Sequence, residues 1–396
     1  MRPSGRRDDI LAVATEVFGR EGLHGASLAR IAAEVGVSAP ALYRHFPNKY
    51  ALFAHACLES ARTVLSTAEQ GARAGATAGR TGDPRAELEG IVTALTRLAV
   101  RHRSGGRLFG IQARHLEPED RARFTDLVGR VRATVAGPLE RWRGPLPPVD
   151  RDLLVGAGLS AVLSVAVHRP LLADDEVVAV LPPVALAVLA TVLPPPATDG
   201  GTGEPRRFGP LTRREALVDA ALREFTARGY PETTVEDVAG AVGMAAPTVY
   251  RQFAAKTDLL EAALQRGLHQ VVAVSEAAVA DAPDAVSELR ALTHAYAGLW
   301  LRQPDLMTVY LTETHRLAPP ARRELRAAQR AYLQRWAQLL VEAGGTGTTE
   351  EAAAYRVRAA VTLVADLRRR TRHDHQPASA ERLEALMWSA LGVGRA

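Results

Sequence analysis

Cysteine and aromatic residues are scarce in this chain of 396 residues, which has one cysteine, Cys57, and an aromatic content of 5%. A single cysteine excludes a disulfide framework and a cysteine-based metal site within one chain, and it fits a reducing compartment, the cytoplasm. The opening stretch, MRPSGRRDDI, has no apolar core, so we expect no signal peptide. The hydrophobic content of 47% is typical of a soluble globular protein, and the length predicts two or more domains.

Long apolar runs are missing as well. The uncharged stretches 153–167 and 177–193 are each shorter than the roughly 20 residues that a membrane-spanning helix needs. Pro182 and Pro183 interrupt the second stretch. Two buried core or interface helices explain these stretches more simply than a membrane hairpin does, so we expect no membrane partner.

Lysine is nearly absent: only Lys49 and Lys256 occur among the 49 residues that are lysine or arginine. The formal net charge of +5 permits binding to nucleic acid but does not by itself indicate it. The two lysines lie at the same place in an internal repeat with an offset of 207 positions. An arginine-biased genome could leave them there by coincidence, but the shared position favours a compact cation placed near a phosphate.

The internal repeat consists of SLARIAAEVGVSAPALYRHFPNK at 27–49 and TVEDVAGAVGMAAPTVYRQFAAK at 234–256. Each copy places apolar residues at helical spacing before a glycine, which can adopt the positive φ at which a helix stops. A second short helix follows in each copy. Two helices joined by such a turn form a helix-turn-helix, whose second helix can enter a major groove. The motif spans about 27–46 in the first copy and 234–253 in the second.

An amphipathic helix precedes each copy, over 6–22 and 213–229, so that each copy has three helices in the same order. The pattern resembles the tetracycline-repressor (TetR) family, which has a phenylalanine and a glycine near the end of helix one and a G-V-S-x-x-x-L-Y-x-H-F pattern on helix three. The matching residues are Phe18, Gly22, Ser27, Ile31, Ala32, Gly36, Val37, Ser38, Leu42, Tyr43, His45, Phe46, Lys49 and Leu52, and then Phe225, Gly229, Thr234, Val238, Ala239, Gly243, Val249, Tyr250, Phe253, Lys256 and Leu259.

The resemblance implies an all-α fold with two tandem units, each a three-helix DNA-binding domain followed by a helical ligand-binding and dimerisation domain. We place the first pair of domains at 4–64 and 65–193 and the second pair at 212–271 and 272–396. Residues 194–211 are a linker by composition. Treated as a flexible coil, this linker has an r.m.s. span of roughly 20–25 Å, so one chain could act as a covalent pseudo-dimer.

Two features of the first helical domain predict interruptions of its helices. The glycine-rich stretch 71–84 follows no strand and opens no Gly-Lys-Thr pattern, so we interpret it as a flexible loop rather than a phosphate cradle. The helix over 174–193 should break near its two prolines. The remaining helices are predicted over 49–69, 85–103, 108–116, 119–143 and 150–168, and then over 257–280, 284–302, 305–317, 320–343, 350–372 and 380–391.

By the resemblance, helix three of each unit enters the major groove, and Tyr43, Tyr250, Lys49 and Lys256 contact phosphates. Arginine pairs well with guanine, glutamine with adenine, and a methyl group with thymine. The alternatives are tyrosines packed on helix one and arginines on a solvated face. The candidates for base contacts are Ala39, Pro40, Ala41, Arg44 and His45 in the first unit, and Ala246, Pro247, Thr248, Arg251 and Gln252 in the second. Ser38 is a further candidate for contact with DNA.

Helix caps distinguish the two copies. Ser27 and Thr234 can cap helix two, with phosphate contact as a second role. Ser38 and Asn48 of the first copy are replaced by alanines in the second. Loss of such a cap costs about 1 kcal/mol, so we expect the second DNA-binding domain to be the less stable one.

The resemblance also implies an effector pocket in the helical domains and pairing of their last two helices, either between the two units of one chain or between two chains. We expect no cofactor, no catalytic residues and no metal site. His373 and His375 could ligate a metal, but a solvated loop explains them more simply. Candidate pocket residues are Phe109, Arg114, His115, Tyr296, Trp300, Tyr310 and His315.

The sequence therefore predicts a DNA-binding transcriptional regulator, expected to be a repressor that a small molecule releases from an asymmetric operator. An interaction module that has lost specific DNA binding in one or both units is the alternative. An enzyme is a weaker alternative, because no nucleophile elbow, phosphate-binding loop or dinucleotide fingerprint occurs.

Overall fold

The computed structural model describes residues 5–79, 82–103, 108, 112–167, 172–196, 212–344, 349–371 and 379–393. These residues contain seventeen α-helices and no strand, which confirms the all-α prediction. The chain divides into two compact units, Met1–Thr191 and Val192–Ala396. Most of the predicted linker, 197–211, lies outside the described residues, as do His373 and His375.

The first unit begins with a three-helix bundle, from which a long fourth helix leads into the regulatory bundle. A 3₁₀ turn at Gln112–His115 precedes the long sixth helix, and another at Ser164–Val167 follows the seventh. The helices are α1 (Arg6–Gly25), α2 (Leu28–Val35), α3 (Ala39–His45), α4 (Lys49–Ala78), α5 (Pro84–Arg101), α6 (Pro118–Arg143), α7 (Pro148–Leu163) and α8 (Asp174–Leu189).

The second unit repeats this plan. Its described helices are α9 (Arg213–Ala227), α10 (Val235–Ala241), α11 (Ala246–Tyr250), α12 (Lys256–Val279), α13 (Ala285–Arg302), α14 (Pro304–Glu313), α15 (Pro319–Glu342), α16 (Glu350–Thr371) and α17 (Ala380–Leu391). A 3₁₀ turn at Thr314–Arg316 precedes α15, at the place where Gln112–His115 precedes α6. Among the helices described, none has both the length and the apolar character needed to cross a membrane.

The core of the first DNA-binding bundle includes the beginning of α4. Leu42 and Phe46, which lie four positions apart and so on one helical face, are fully buried. Phe53 of α4 is buried with them, and its ring meets the edge of the Phe18 ring at a centroid distance of 5.3 Å. The connecting helix therefore leaves the DNA-binding bundle from inside its core, and any tilt of α4 is transmitted to the packing around α3.

The glycine-rich stretch 71–84 is mostly helical, so the prediction of a flexible loop is wrong for the part that α4 covers. Gly71 and Gly75 lie one turn apart on the same face of α4. A Cβ atom at Gly71 would lie 2.6 Å from the carbonyl oxygen of Gly90 on α5, and one at Gly75 would lie 2.1 Å from that of Ala86. The glycines thus bring the backbones of α4 and α5 into direct contact.

Contrary to expectation, Pro182 and Pro183 do not break their helix. Helix α8 continues through both of them to Leu189. Buried apolar side chains on both sides, such as Val177 and Val184, hold the helix against its neighbours. Their burial offsets the backbone hydrogen bonds that the prolines remove. Of the helix predicted over 108–116, the described part is Leu108, the 3₁₀ turn at Gln112–His115 and Leu116.

Helix caps differ between the two DNA-binding bundles, but not all in one direction. Ser38 accepts a hydrogen bond from the Ala41 amide at 3.3 Å and Asn48 one from the Ala51 amide at 2.8 Å, as expected. Thr234 caps α10 by accepting from the Asp237 amide at 3.1 Å.

Ser27 makes no side-chain cap, so its predicted capping role is wrong. The carboxylate of Asp237 accepts a hydrogen bond from the Thr234 amide, which closes the capping box. The first unit has Arg30 at the position of Asp237, and Arg30 pairs with Glu21 and Glu34 instead. The caps therefore predict differences in stability between individual helices, rather than a second DNA-binding domain that is less stable as a whole.

Gly75→Ala should destabilise the first unit by about 1–3 kcal/mol, because the new methyl group meets backbone atoms rather than a movable side chain. The measurement is hydrogen exchange of α4 and α5, read by mass spectrometry. Gly129→Ala on α6 is the matched control, because a Cβ atom there meets nothing within 4 Å. It should stabilise its helix by about 1 kcal/mol. Equal effects of the two substitutions would contradict the helix contact.

The amide of Val249 on α11 should exchange faster than that of Leu42 on α3, by about fivefold for a cap of about 1 kcal/mol. The reason is that Ser38 caps α3, whereas Ala245 gives α11 no side-chain cap. Ser38→Ala is the control and should raise the Leu42 rate by a similar factor. Equal protection of Leu42 and Val249 in the unmodified protein would refute the prediction.

Candidate nucleic-acid interface

The recognition helices α3 and α11 each present an exposed tyrosine. Tyr43 is 51% exposed and Tyr250 is 47% exposed, although tyrosine usually buries most of its ring. The alternative that these rings pack on helix one therefore does not describe the free protein. Each ring is held outward because the residue before it, Leu42 or Val249, points into the core.

Most of the other candidates for DNA contact are exposed or half-buried. In the first unit, Ser27, Ser38, Pro40, Arg44 and His45 are exposed and Ala41 is half-buried, while only the backbone of Ala39 is described. In the second, Thr234, Pro247 and Arg251 are exposed, and Ala246, Thr248 and Gln252 are half-buried. The Arg251 guanidinium donates to the Thr248 hydroxyl at 3.2 Å, which orders this face in the free protein.

An arginine at the start of helix one supports the end of each recognition helix. The Arg7 guanidinium lies 5.4 Å from the ring centroid of Phe46, and that of Arg214 lies 4.2 Å from the ring centroid of Phe253. Arg214 also donates to the carbonyl of Gln252 at 3.2 Å. Sequence reasoning missed this pair, although the two arginines are separated by the same offset of 207 as the repeat.

The two lysines bind backbone carbonyls at the end of helix one. Lys256 Nζ donates to the carbonyl oxygens of Tyr230 at 2.7 Å, Pro231 at 3.2 Å and Thr233 at 2.7 Å. Lys49 Nζ donates to the carbonyl of His24 at 3.2 Å. An ammonium group has three donors and suits such a cluster better than a planar guanidinium. Contact with phosphate remains a prediction for both lysines, and the ammonium group of Lys256 already has three acceptors.

The regulatory bundle of the first unit contacts the DNA-binding bundle next to Lys49. The Tyr50 hydroxyl donates to Asp120 Oδ2 at 2.9 Å and accepts from the Glu117 amide at 2.8 Å. Burial raises the pKa of Tyr50 to about 12, so the hydroxyl stays protonated. The ring of His115 meets the edge of the His24 ring at 5.4 Å. His115, predicted to line a ligand pocket, therefore lies at the junction between the two domains.

The second unit has the corresponding junction at Tyr230. The guanidinium of Arg316 lies 5.2 Å from the Tyr230 ring centroid, and Lys256 Nζ lies 4.4 Å from it. Arg316 is also paired with Glu313 at 2.6 Å. Burial, followed by repulsion from Arg316, lowers the pKa of Lys256.

A cavity that is partly open to solvent lies in the regulatory bundle of the second unit. Of the predicted pocket residues, Tyr296 and Tyr310 line it, and Trp300 packs behind Tyr296 with ring centroids 6.2 Å apart. His315 lies in the 3₁₀ turn and not in the cavity lining. Phe109 and the side chain of Arg114 lie outside the described part of the chain.

Lys256→Met should destabilise the second DNA-binding bundle by about 2 kcal/mol, because it leaves three carbonyl groups without their donor. Lys49→Met, the matched control, removes one longer bond and should cost about 0.5 kcal/mol. The measurement is hydrogen exchange of α9 and α10 against α1 and α2. Full rescue by Lys256→Arg would contradict the requirement for an ammonium group.

Comparisons with known proteins agree with this arrangement. The profile described as "Bacterial regulatory proteins, tetR family" matches residues 10–56 and again 217–263, and a profile described as "Tetracyclin repressor-like, C-terminal domain" matches 282–368. The first two are the stretches that form the repeated bundles, and the third lies in the regulatory bundle of the second unit.

Curated relatives match over a limited part of their length. The chain is 31% identical over 97 residues to the HTH-type transcriptional activator FasR of Mycolicibacterium smegmatis, which covers 24% of this chain and 44% of FasR. It is 36% identical over 75 residues to the HTH-type transcriptional repressor ComR of Escherichia coli, which covers 19% of this chain and 34% of ComR. The chain thus spans less than half the length of either relative.

A similar solved structure is the ketosteroid transcriptional regulator KstR2 of Mycobacterium tuberculosis, at 20% identity and a TM-score of 0.41 over 46% of this chain and 95% of that one. The repeated bundles, the two profile matches to them and the C-terminal match agree with one another. The chain belongs to the tetR family of bacterial regulatory proteins and carries two units of that family in tandem.

Proposed function

We propose that the protein is a sequence-specific DNA-binding transcriptional regulator, a repressor whose affinity for its operator is controlled by a small molecule in a helical domain. The exposed recognition face of each unit is the observation that supports this proposal. Tyr43 and Arg44 of the first unit have counterparts of the same type in Tyr250 and Arg251, and all four side chains are exposed.

The two recognition faces differ, which favours an asymmetric operator. His45 of the first unit corresponds to Gln252 of the second, and Ala41 corresponds to Thr248. Imidazole and carboxamide groups offer different donors and acceptors to the base edges of the major groove. The two units therefore prefer different half-sites, and they act as a pseudo-dimer within one chain.

Phosphate contacts would be shared unequally between the units. The ammonium group of Lys256 is held by three carbonyls, whereas that of Lys49 is bound to one at 3.2 Å. Exchanging these bonds for a phosphate disturbs less of the protein at Lys49 than at Lys256. Lys49 is therefore the stronger candidate for a phosphate contact, and its removal should reduce the salt dependence of binding.

The test is selection of bound sites from a random duplex pool, at a stated salt concentration, with the purified full chain. Two dissimilar half-sites at one fixed spacing are expected. A symmetric palindrome would mean that two chains pair and that one unit reads the DNA. Failure to enrich any site, with only weak salt-sensitive binding, would overturn the proposal and favour the interaction-module alternative.

Single substitutions then assign the half-sites. Arg44→Ala should weaken binding about 10- to 100-fold and relax one half-site, and Arg251→Ala should do the same to the other. Arg62→Ala is the charge-matched control, because Arg62 is exposed on α4, outside α3, and pairs with Glu59. Its effect should be less than twofold. Relaxation of the same half-site by both arginine variants would refute the division between the units.

A further inference from the structure

The regulatory bundles of the two units differ at equivalent helix positions. Helices α5 and α13 both have 18 residues, and the twelfth is Leu95 in the first unit but Tyr296 in the second. The sixteenth is Ala99 in α5 and Trp300 in α13. Four positions carry aliphatic residues in the first unit and aromatic residues in the second. Two of them lie on α5 and α13, and two lie on α6 and α15.

The other two positions lie on α6 and α15, which both begin at a proline. The fourteenth residue is Val131 on α6 and Tyr332 on α15, and the eighteenth is Val135 and Trp336 respectively. Both valines are about 1% exposed, so these positions face the core in the first unit as well. The aromatic side chains of the second unit therefore change the lining of its bundle rather than its surface.

The aromatic residues of the second unit form one connected cluster beside the cavity. The ring of Trp336 lies 6.0 Å from Tyr296 and 6.0 Å from Tyr332, and the Tyr332 hydroxyl lies 2.8 Å from the Ser275 hydroxyl. Tyr296, Tyr310 and Tyr332 all line the cavity, and the described lining contains no charged side chain. Burial raises the pKa of all three tyrosines, so their hydroxyls are uncharged.

The first unit is closed where its two central helices meet. A Cβ atom at Gly90 of α5 would lie 2.2 Å from the carbonyl oxygen of Gly71. A ligand between α4 and α5 would have to separate backbones that are already in contact. In the second unit, α12 has 24 residues where α4 has 30, and it carries Ala278 at the position of Gly71. A methyl group at this position excludes the close approach that glycine permits in the first unit.

We infer that, within the described residues, ligand binding is confined to the second unit, whose cavity takes a small, uncharged molecule with an aromatic ring and a hydroxyl or similar hydrogen-bonding group. Aromatic walls favour a flat ring, and tyrosine hydroxyls can donate to or accept from one polar group. A charged ligand would lose its hydration without gaining a counter-ion in the described lining. The inference rests on the proposed function in one respect, which is that it takes this ligand to be the effector.

The experiment uses three fluorinated probes of similar size that differ in charge: 4-fluorobenzyl alcohol, 4-fluorobenzoate and 4-fluorobenzylamine. Their binding to the full chain is followed by ¹⁹F NMR line broadening. The neutral alcohol should bind at one site per chain with a Kd of about 1 mM, as expected for so small a ligand. Each charged probe should bind at least about tenfold more weakly, because the described lining offers it no counter-ion.

Two matched substitutions locate the site. Val271 lines the cavity and is the sixteenth residue of α12, and Val64 is the sixteenth residue of α4. Val271→Phe should weaken binding of the alcohol at least tenfold by filling the cavity, whereas Val64→Phe should leave it unchanged. Thermal unfolding of both variants shows whether they are folded. If Val271→Phe does not fold, Leu268→Phe takes its place, because Leu268 lines the same cavity from α12.

Several results would overturn the inference: equal binding of a charged probe, two sites per chain, loss of binding in Val64→Phe but not in the cavity-filling variant, or no binding of the alcohol at up to about 10 mM. None of these measurements involves DNA. A negative result here therefore leaves the proposed DNA-binding function intact, and failure of the site selection leaves this inference intact.

Discussion

The second DNA-binding bundle depends on the ammonium group of Lys256, which binds the carbonyl oxygens that follow helix one. The lysine is the first residue of the connecting helix, where the helix dipole disfavours a positive charge. Carbonyls of the turn after helix one offset this cost by accepting its hydrogen bonds. The contact links the end of helix one, the start of helix two and the base of the regulatory bundle at a single atom.

This constraint explains why a chain so rich in arginine has a lysine at position 256. A guanidinium group presents its donors in one plane, whereas an ammonium group can donate to three carbonyls around it. Tyr230 covers the ammonium group of Lys256 from one side, and its ring also faces Arg316 of the regulatory bundle. Any displacement of the 3₁₀ turn at Thr314–Arg316 therefore changes the surroundings of the lysine.

The sequence repeat was sufficient to predict the helix order, the buried residues of the recognition helices and their exposed faces. Periodicity and glycine positions determine these features locally. The glycine-rich stretch was misinterpreted because composition favours a loop, whereas the spacing of Gly71 and Gly75 places both on one helix face opposite Gly90. Recognition of such a contact requires knowledge of which two helices are adjacent.

The candidate DNA interface and the lining of the cavity were predictable to a similar extent. Residues of α3 and α11 follow from their place in the repeat, but the binding of the lysines to carbonyls depends on a turn about 25 residues earlier in the chain. Tyr296 and Tyr310 line the cavity as the aromatic pattern suggested, whereas His115 lies at a domain junction. Sequence patterns identify buried aromatic residues, but the gap between helices depends on side-chain volumes summed over the whole bundle.

The contact between α4 and α5 has an evolutionary consequence. Gly71, Gly75 and Gly90 cannot acquire any side chain without moving a backbone, since each would place a Cβ atom within 2.6 Å of a carbonyl oxygen. A single codon change at these positions separates the two backbones at a cost in stability, whereas residues around the cavity of the second bundle can be exchanged without moving a backbone. After a duplication, such a contact restricts the substitutions that one copy can accept more than those of the other.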